Sequence, residues 1–168
     1  MKNRYRVVLI ISALALAACS NNKPGSYLDG SAGTTGSGYE AGSASDPASP
    51  AYFQQTVGDR VYFAVDQATV DGAAQATLQA QADWLIANSE YSMTIEGHAD
   101  EQGTREYNLA LGARRANAVR EFLTSRGVSG DRLQTVSYGK ERPAELCSAE
   151  SCYSLNRRAV SVLNNVNF

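Results

Sequence analysis

The densest run of chemically able side chains lies between Glu96 and Arg115. It reads Glu96-Gly97-His98-Ala99-Asp100-Glu101-Gln102-Gly103-Thr104-Arg105, followed by Asn108 and the pair Arg114-Arg115. Three chemistries are open to it. In the first, His98 and Asp100 form a metal site or an acid–base pair. His98 is the only histidine, however, and no H-x-x-x-H spacing exists, so a zinc site would need a carboxylate-heavy ligand set. Nor is there a G-x-S-x-G turn or a Gly-rich phosphate loop, and catalysis is the least supported reading. In the second, Gly97 and Gly103 are turns and Arg114-Arg115 is a solvated helix face. In the third, Asp100 and Arg115 receive a zwitterion, the carboxylate taking an ammonium and the guanidinium a carboxylate. Arg115 would lie roughly 10–16 Å along its helix at ~1.5 Å per residue. Helical side chains lean toward the N-terminus and shorten that gap. Spacing alone does not choose between the last two.

The cluster needs a strand to end, and a helix to begin, at Asp100–Thr104. Tyr91, Met93 and Ile95 alternate with Ser92, Thr94 and Glu96, which predicts a strand over 91–96. The helix after it starts between Thr104 and Asn108 and runs to about Arg126. Its stripe is Leu109, Gly112, Ala116, Val119 and Leu123, and Gly127 stops it. Gly112 and Ala116 are small enough for a close approach to the sheet. Upstream, Arg60 to Val65 alternates with Val61, Phe63 and Val65 on one face, a further strand. A helix over Asp71 to Asn88 carries Ala74, Leu78, Ala82 and Leu85 at helical spacing, with Trp84 and Ile86 as packing residues. Leu133 to Tyr138 and Arg158 to Leu163 complete the strands. Strands alternating with helices predict an α/β (α+β) sandwich of β-α-β-α-β type, one mixed sheet with helices on one face. The crevice beyond the strand ends is where ligands usually sit in such sheets.

The chain opens with Lys2, Arg4 and Arg6, an apolar run from Val7 to Leu16, then Ala17, Ala18 and Cys19. A basic start, short apolar core and small-residue exit predict a secretory signal peptide over residues 1–18. The run is too short to span a bilayer, which needs ~20 residues. Leu16-Ala17-Ala18-Cys19 resembles the lipobox of bacterial lipoproteins, which implies cleavage before Cys19 and its acylation. Several acyl chains anchor stably where one does not. Ser20 stands where the known inner-membrane retention signal places aspartate, which implies sorting to the outer membrane. Residues 20–50 are rich in Gly, Ser, Ala and Pro, with Leu28 the only large aliphatic. That composition predicts a flexible tether, so that 19–51 is a lipidated linker and 52–168 the folded domain.

The whole chain has 15 basic and 17 acidic residues. Three basic ones leave with the signal, so 12 remain against 17, a net of −5. Such a balance argues against a nucleic-acid partner. Beyond Cys19 only Cys147 and Cys152 remain, in a loop-like stretch. An oxidising compartment makes them a disulfide, with free thiols as the alternative. Their C-x₄-C spacing is poor for a metal, and no metal or cofactor is expected. The pair is remote from the polar cluster in sequence, so it is expected to serve stability more than binding.

Long runs in the chain then carry a resemblance: Thr94-Ile95-Glu96-Gly97-His98-Ala99-Asp100-Glu101, Gly103 to Gly112, Arg114-Arg115-Ala116, Thr135 to Glu141, and Asn156-Arg157-Arg158-Ala159-Val160. Over about residues 57–164 the chain resembles the peptidoglycan-associated lipoproteins. Their wider family includes the C-terminal domain of outer-membrane protein A and the flagellar motor's stator subunit. The resemblance implies a domain that binds meso-diaminopimelate in peptidoglycan stem peptides, without catalysis. It puts Asp100 and Arg115 on the zwitterion, Val65 and Asp66 in a contacting loop, and Thr104 and Asn108 around the pocket. It also implies the Tol complex and its propeller protein TolB as partners, in envelope integrity and division. Gln102 departs from a frequent arginine, and Ala64-Val65 from a more usual acidic-aromatic pair. A lipid-anchored wall hydrolase is the competing function.

Overall fold

The computed structural model describes residues 42–165. The expected signal peptide, Cys19 and most of the expected linker lie outside the described residues. Four strands form one sheet: β1 (Arg60–Tyr62), β2 (Tyr91–His98), β3 (Leu133–Gly139) and β4 (Arg158–Asn165), in the order β1-β4-β2-β3. β4 is antiparallel to both β1 and β2, whereas β2 and β3 are parallel. The sheet is therefore mixed, as the alternation of elements predicted.

Helix α2 (Gly72–Ala87) begins where the Asp71 side chain accepts from Ala74 N at 2.8 Å. It buries Ala74, Leu78, Ala82 and Leu85, the predicted stripe, and adds Gln81 and Trp84. Ile86 is 52 % exposed, so the packing role expected of it fails. One residue past Leu85, it is turned about 100° off the stripe. Trp84 does pack, against Phe53 and Tyr91 with ring centroids 5.0 and 5.2 Å away.

Helix α3 (Arg105–Ser125) is capped by Thr104, whose hydroxyl accepts from Tyr107 N at 3.2 Å. It closes where Gly127 N and Val128 N donate to Thr124 O and Leu123 O, a Schellman arrangement. The sheet sits close beneath it. A Cβ on Gly97 would lie 1.8 Å from Gly112 O, and one on Gly112 would lie 2.4 Å from Ser137 Oγ. Two glycines face to face let strand and helix backbones touch. The core gathers there, with Met93, Ile95, Ala116, Val119 and Leu123 all fully buried. Ser161 Oγ reaches Gln81 Oε1 at 2.8 Å, so α2 covers the same face of the sheet.

Three elements differ from expectation. The strand predicted to reach Val65 ends at Tyr62, although Phe63 N still donates to Arg157 O at 2.8 Å. The carbonyls of Ala64 and Gln67 are taken by Arg115 instead of a neighbouring strand, and Val65 is left 57 % exposed. Upstream, a helical turn α1 (Pro50–Tyr52) runs into a π-helical stretch, Phe53–Gly58, and Phe53 is fully buried. Packing starts before Tyr52: Ser49 is buried, and Trp84 Nε1 donates to Pro47 O at 2.7 Å. Finally, the stretch read as a loop contains α4 (Glu150–Asn156), on which Cys152 lies.

Candidate functional site

Two loops meet beyond the ends of β1 and β2. The first turns at Asp66, whose φ of 57° is left-handed, a conformation Asp tolerates better than most residues. The second runs from Ala99 to Thr104. Ala99 N donates to Gly139 O at 2.8 Å, and Gln102 N donates to Asp100 Oδ1 at 3.2 Å. Gly103 then adopts φ 92°, which a side chain would strain. Asn108 Nδ2 fixes the loop from α3 by donating to Gln102 O at 2.8 Å. Between the loops lies a cleft of about 300 Å³, lined by Val65, Asp66, Asp100, Gln102, Gly103, Tyr107, Asn108 and Leu111.

Four of the six residues expected to bind ligand thus line one cleft: Val65, Asp66, Asp100 and Asn108. Thr104 does not line it, because its hydroxyl is spent on capping α3. Arg115 lies beneath it, fully buried. Its Nε donates to Gln67 O at 2.8 Å, one Nη to His98 O at 2.8 Å and the other to Ala64 O at 3.1 Å. The Phe63 ring centroid is 5.2 Å from its guanidinium carbon. A solvated helix face is thereby ruled out for Arg115, though Arg114 does lie exposed on α3. Burial pushes Arg115 down to about 10, opposed by the carboxylates of Asp100 and Asp66; it stays a cation at neutral pH. Three of its five N–H donors are used, which leaves one on each Nη.

Arg157 joins the site without having been expected there. It is 5 % exposed, and its Nη1 lies 3.3 Å from Asp100 Oδ2. Its Nε donates to Phe63 O at 3.2 Å, and its guanidinium also grips Glu150. The hydrogen bond with Glu150, then that with Asp100, holds its pKa above the usual arginine value against the cost of burial. The available signal was Arg157-Arg158 opening a strand, where buried arginines need partners. Tyr107 was missed too; its hydroxyl donates to Asp66 Oδ1, and that bond raises its pKa.

Cys147 and Cys152 are joined in a disulfide with Cα atoms 5.8 Å apart. Remote from the polar cluster in sequence, the bridged stretch is brought beside it by the fold. Within the bridged stretch, Ser148 Oγ reaches Glu101 Oε1 at 2.9 Å, and just beyond it so does Tyr153 OH, also at 2.9 Å. Glu101 is part of the cleft's second loop.

The arrangement presents two carboxylates, Asp66 and Asp100, above a buried guanidinium. It can accept an ammonium and stabilise a neighbouring carboxylate. Among the described residues, no three His, Cys, Asp or Glu side chains gather as a metal site, and no helix is long and apolar enough to cross a membrane. His98 is buried. Desolvation, then the charge of Arg158, pushes it down to about 4, so at neutral pH it is neutral.

A mixed four-stranded sheet with a cleft between the β1–α2 and β2–α3 loops defines an OmpA-type domain: residues 62–159 match the OmpA family. The peptidoglycan-associated lipoprotein of Agrobacterium fabrum is 54 % identical over 157 residues, covering 94 % of this chain and 86 % of that protein. That of Haemophilus influenzae is 44 % identical, covering 94 % and 97 %. The crystal structure of the peptidoglycan-associated lipoprotein from Burkholderia pseudomallei superposes with a TM-score of 0.64 at 40 % identity, covering 72 % of this chain and 98 % of that one. The C-terminal domain of Helicobacter pylori MotB, 18 % identical with a TM-score of 0.60 over 64 % of this chain and 84 % of that one, shares the fold. The chain belongs to the OmpA family, among the peptidoglycan-associated lipoproteins, as a non-enzymatic structural protein.

Proposed function

We propose that the domain binds peptidoglycan non-covalently by taking the meso-diaminopimelate side chain of a stem peptide into the cleft. One observation carries the reading: Asp66 and Asp100 line a single cleft above the buried cation Arg115. The side-chain end of diaminopimelate carries an ammonium and a carboxylate on one carbon. The ammonium goes to Asp100, with Asp66 at the rim, and Asn108 holds the loop beneath. The carboxylate takes the free donor on each Nη of Arg115, in the two-pronged geometry that guanidinium favours. Ala64 O and Gln67 O stay on the guanidinium, and the carboxylate enters past the exposed Val65 and Asp66.

The same proposal gives the chain a signal peptide over residues 1–18, a lipid on Cys19 and a linker over 19–51. The anchor would hold the domain to the outer membrane from the periplasmic side and tie that membrane to the wall. On the resemblance, TolB and the other Tol proteins are its partners in envelope integrity and division. Cosedimentation with purified diaminopimelate-type sacculi tests the wall reading. Wild type is expected in the pellet and Asp100→Asn largely in the supernatant. Wild type staying in solution overturns it.

A further inference from the structure

We infer that the lobe closed by the Cys147–Cys152 disulfide is a positioning device for the cleft, so that wall binding depends on the bridge being oxidised. The inference rests on the proposed binding at Asp100.

α4 is seven residues long, and no side chain caps its start at Ala149. So short a helix is not stable by itself. It is fixed by Asn156, whose side chain bonds Ala144 N, Glu145 N and Glu145 O, and by the disulfide tying Cys152 in its first turn to Cys147. Asn156 secures the far end. The bridge secures the near end, which carries the groups facing the site.

Two connections run from that near end to the cleft. Ser148 and Tyr153 both donate to Glu101 Oε1, and Lys140 Nζ ties down the same loop through Gly103 O at 2.7 Å. Glu150 meanwhile shares the Arg157 guanidinium with Asp100: Nη1 lies 3.3 Å from an oxygen of each carboxylate, and Nη2 also donates to Glu150. Opening the bridge frees Ser148 and Glu150, which lie between the two cysteines, and loosens the turn bearing Tyr153. Glu101 then loses its two donors. Arg157 loses its second carboxylate and turns its whole charge on Asp100, in competition with an arriving ammonium. Both changes weaken the cleft for a cationic group, and neither requires the sheet to move.

The test uses the full chain in detergent, oxidised and after a dithiol has reduced the disulfide to two thiols and itself become a cyclic disulfide. Calorimetric titration with a muropeptide bearing a meso-diaminopimelate tripeptide, well below the unfolding temperature, should show about fivefold weaker binding after reduction, the worth of roughly one hydrogen bond. Tyr153→Phe should weaken the oxidised protein about threefold, and its further loss on reduction should be smaller than that of wild type. Amide exchange at Gln102 and Gly103, read without ligand, should quicken on reduction. A lower melting temperature with unchanged affinity and unchanged exchange at those amides would make the bridge merely structural and overturn the inference. An equal loss on reduction in wild type and Tyr153→Phe would overturn the route through Glu101. If the oxidised protein binds no muropeptide, the wall reading fails, and the exchange measurement alone decides whether the lobe positions the loop.

Discussion

Arg115→Ala would ordinarily be chosen to remove a ligand contact, but the structure predicts that it removes much of the fold. The guanidinium is fully buried and satisfies three backbone carbonyls, those of Ala64, Gln67 and His98, at 2.8–3.1 Å. Hydrogen bonds from a charged donor contribute roughly 1.5–3 kcal/mol each. Truncation strips the buried His98 carbonyl and the part-buried Gln67 carbonyl of this donor, leaves Ala64 O only Gln67 N at 3.2 Å, and opens a cavity beside Phe63. Relief of a costly desolvation, which pushes this arginine down to about 10, offsets part of that loss. A net destabilisation of about 4 kcal/mol follows, in the range measured when one partner of a buried ionic arrangement is removed. Domains of this size have only ~5–15 kcal/mol in total. Urea unfolding followed by tryptophan fluorescence at Trp84 measures it directly. Arg114→Ala, at an exposed position on the same helix, should stay within ~0.5 kcal/mol of wild type. A loss below about 1 kcal/mol for Arg115→Ala would refute the reasoning. If the loss is as large as expected, failure of that variant to bind the wall says nothing about ligand contact. Asp100→Asn, which keeps an acceptor for Gln102 N, is the cleaner probe.

Other consequences are equally open to measurement. Gly97→Ala should destabilise by about 3 kcal/mol or prevent folding, because its Cβ would lie 1.8 Å from Gly112 O and backbone cannot give way as a side chain can; melting within a degree or two of wild type would contradict this. His98 has a folded pKa of about 4 against a reference of 6.5. The unfolded chain therefore binds the proton more readily, and the stability is fully present above about 6.5 and lost as pH falls from there through about 4. The difference in unfolding free energy between wild type and His98→Asn should shift by up to about 3 kcal/mol between pH 7 and pH 4, and a pH-independent difference would refute it.

Much of the frame was legible because it obeys simple periods. Met93 and Ile95 alternate into the core, and Ala74, Leu78, Ala82 and Leu85 recur at helical spacing and are all buried. The facing glycines were half legible: Gly112 announced a close approach, but its partner Gly97 read only as a turn. What failed depended on long-range contacts. Val65 fits the alternation, yet Arg115 takes the carbonyls that a neighbouring strand would have paired. α4 has no stripe and no cap, and a disulfide with an asparagine network replaces them. Arg157 could not be placed on Asp100, 57 residues away, from spacing along the chain. The cluster at 96–115 was legible in composition, but the burial of Arg115 was not. The Arg114-Arg115 pair reads the same whichever arginine turns inward.

That burial also sets the scale of the central test. A stem peptide with lysine in place of diaminopimelate keeps the ammonium but lacks the carboxylate beside it. Arg115 retains its three carbonyls with either ligand, so lysine never leaves it wholly unpaired, and the penalty falls below the roughly 2–5 kcal/mol of a stripped charge pair. Calorimetric titration of the oxidised full chain with the two stem peptides at matched salt measures the difference directly. The lysine peptide should bind about tenfold more weakly, close to 1.4 kcal/mol. Equal affinity for the two peptides would contradict the placement of the diaminopimelate carboxylate over Arg115.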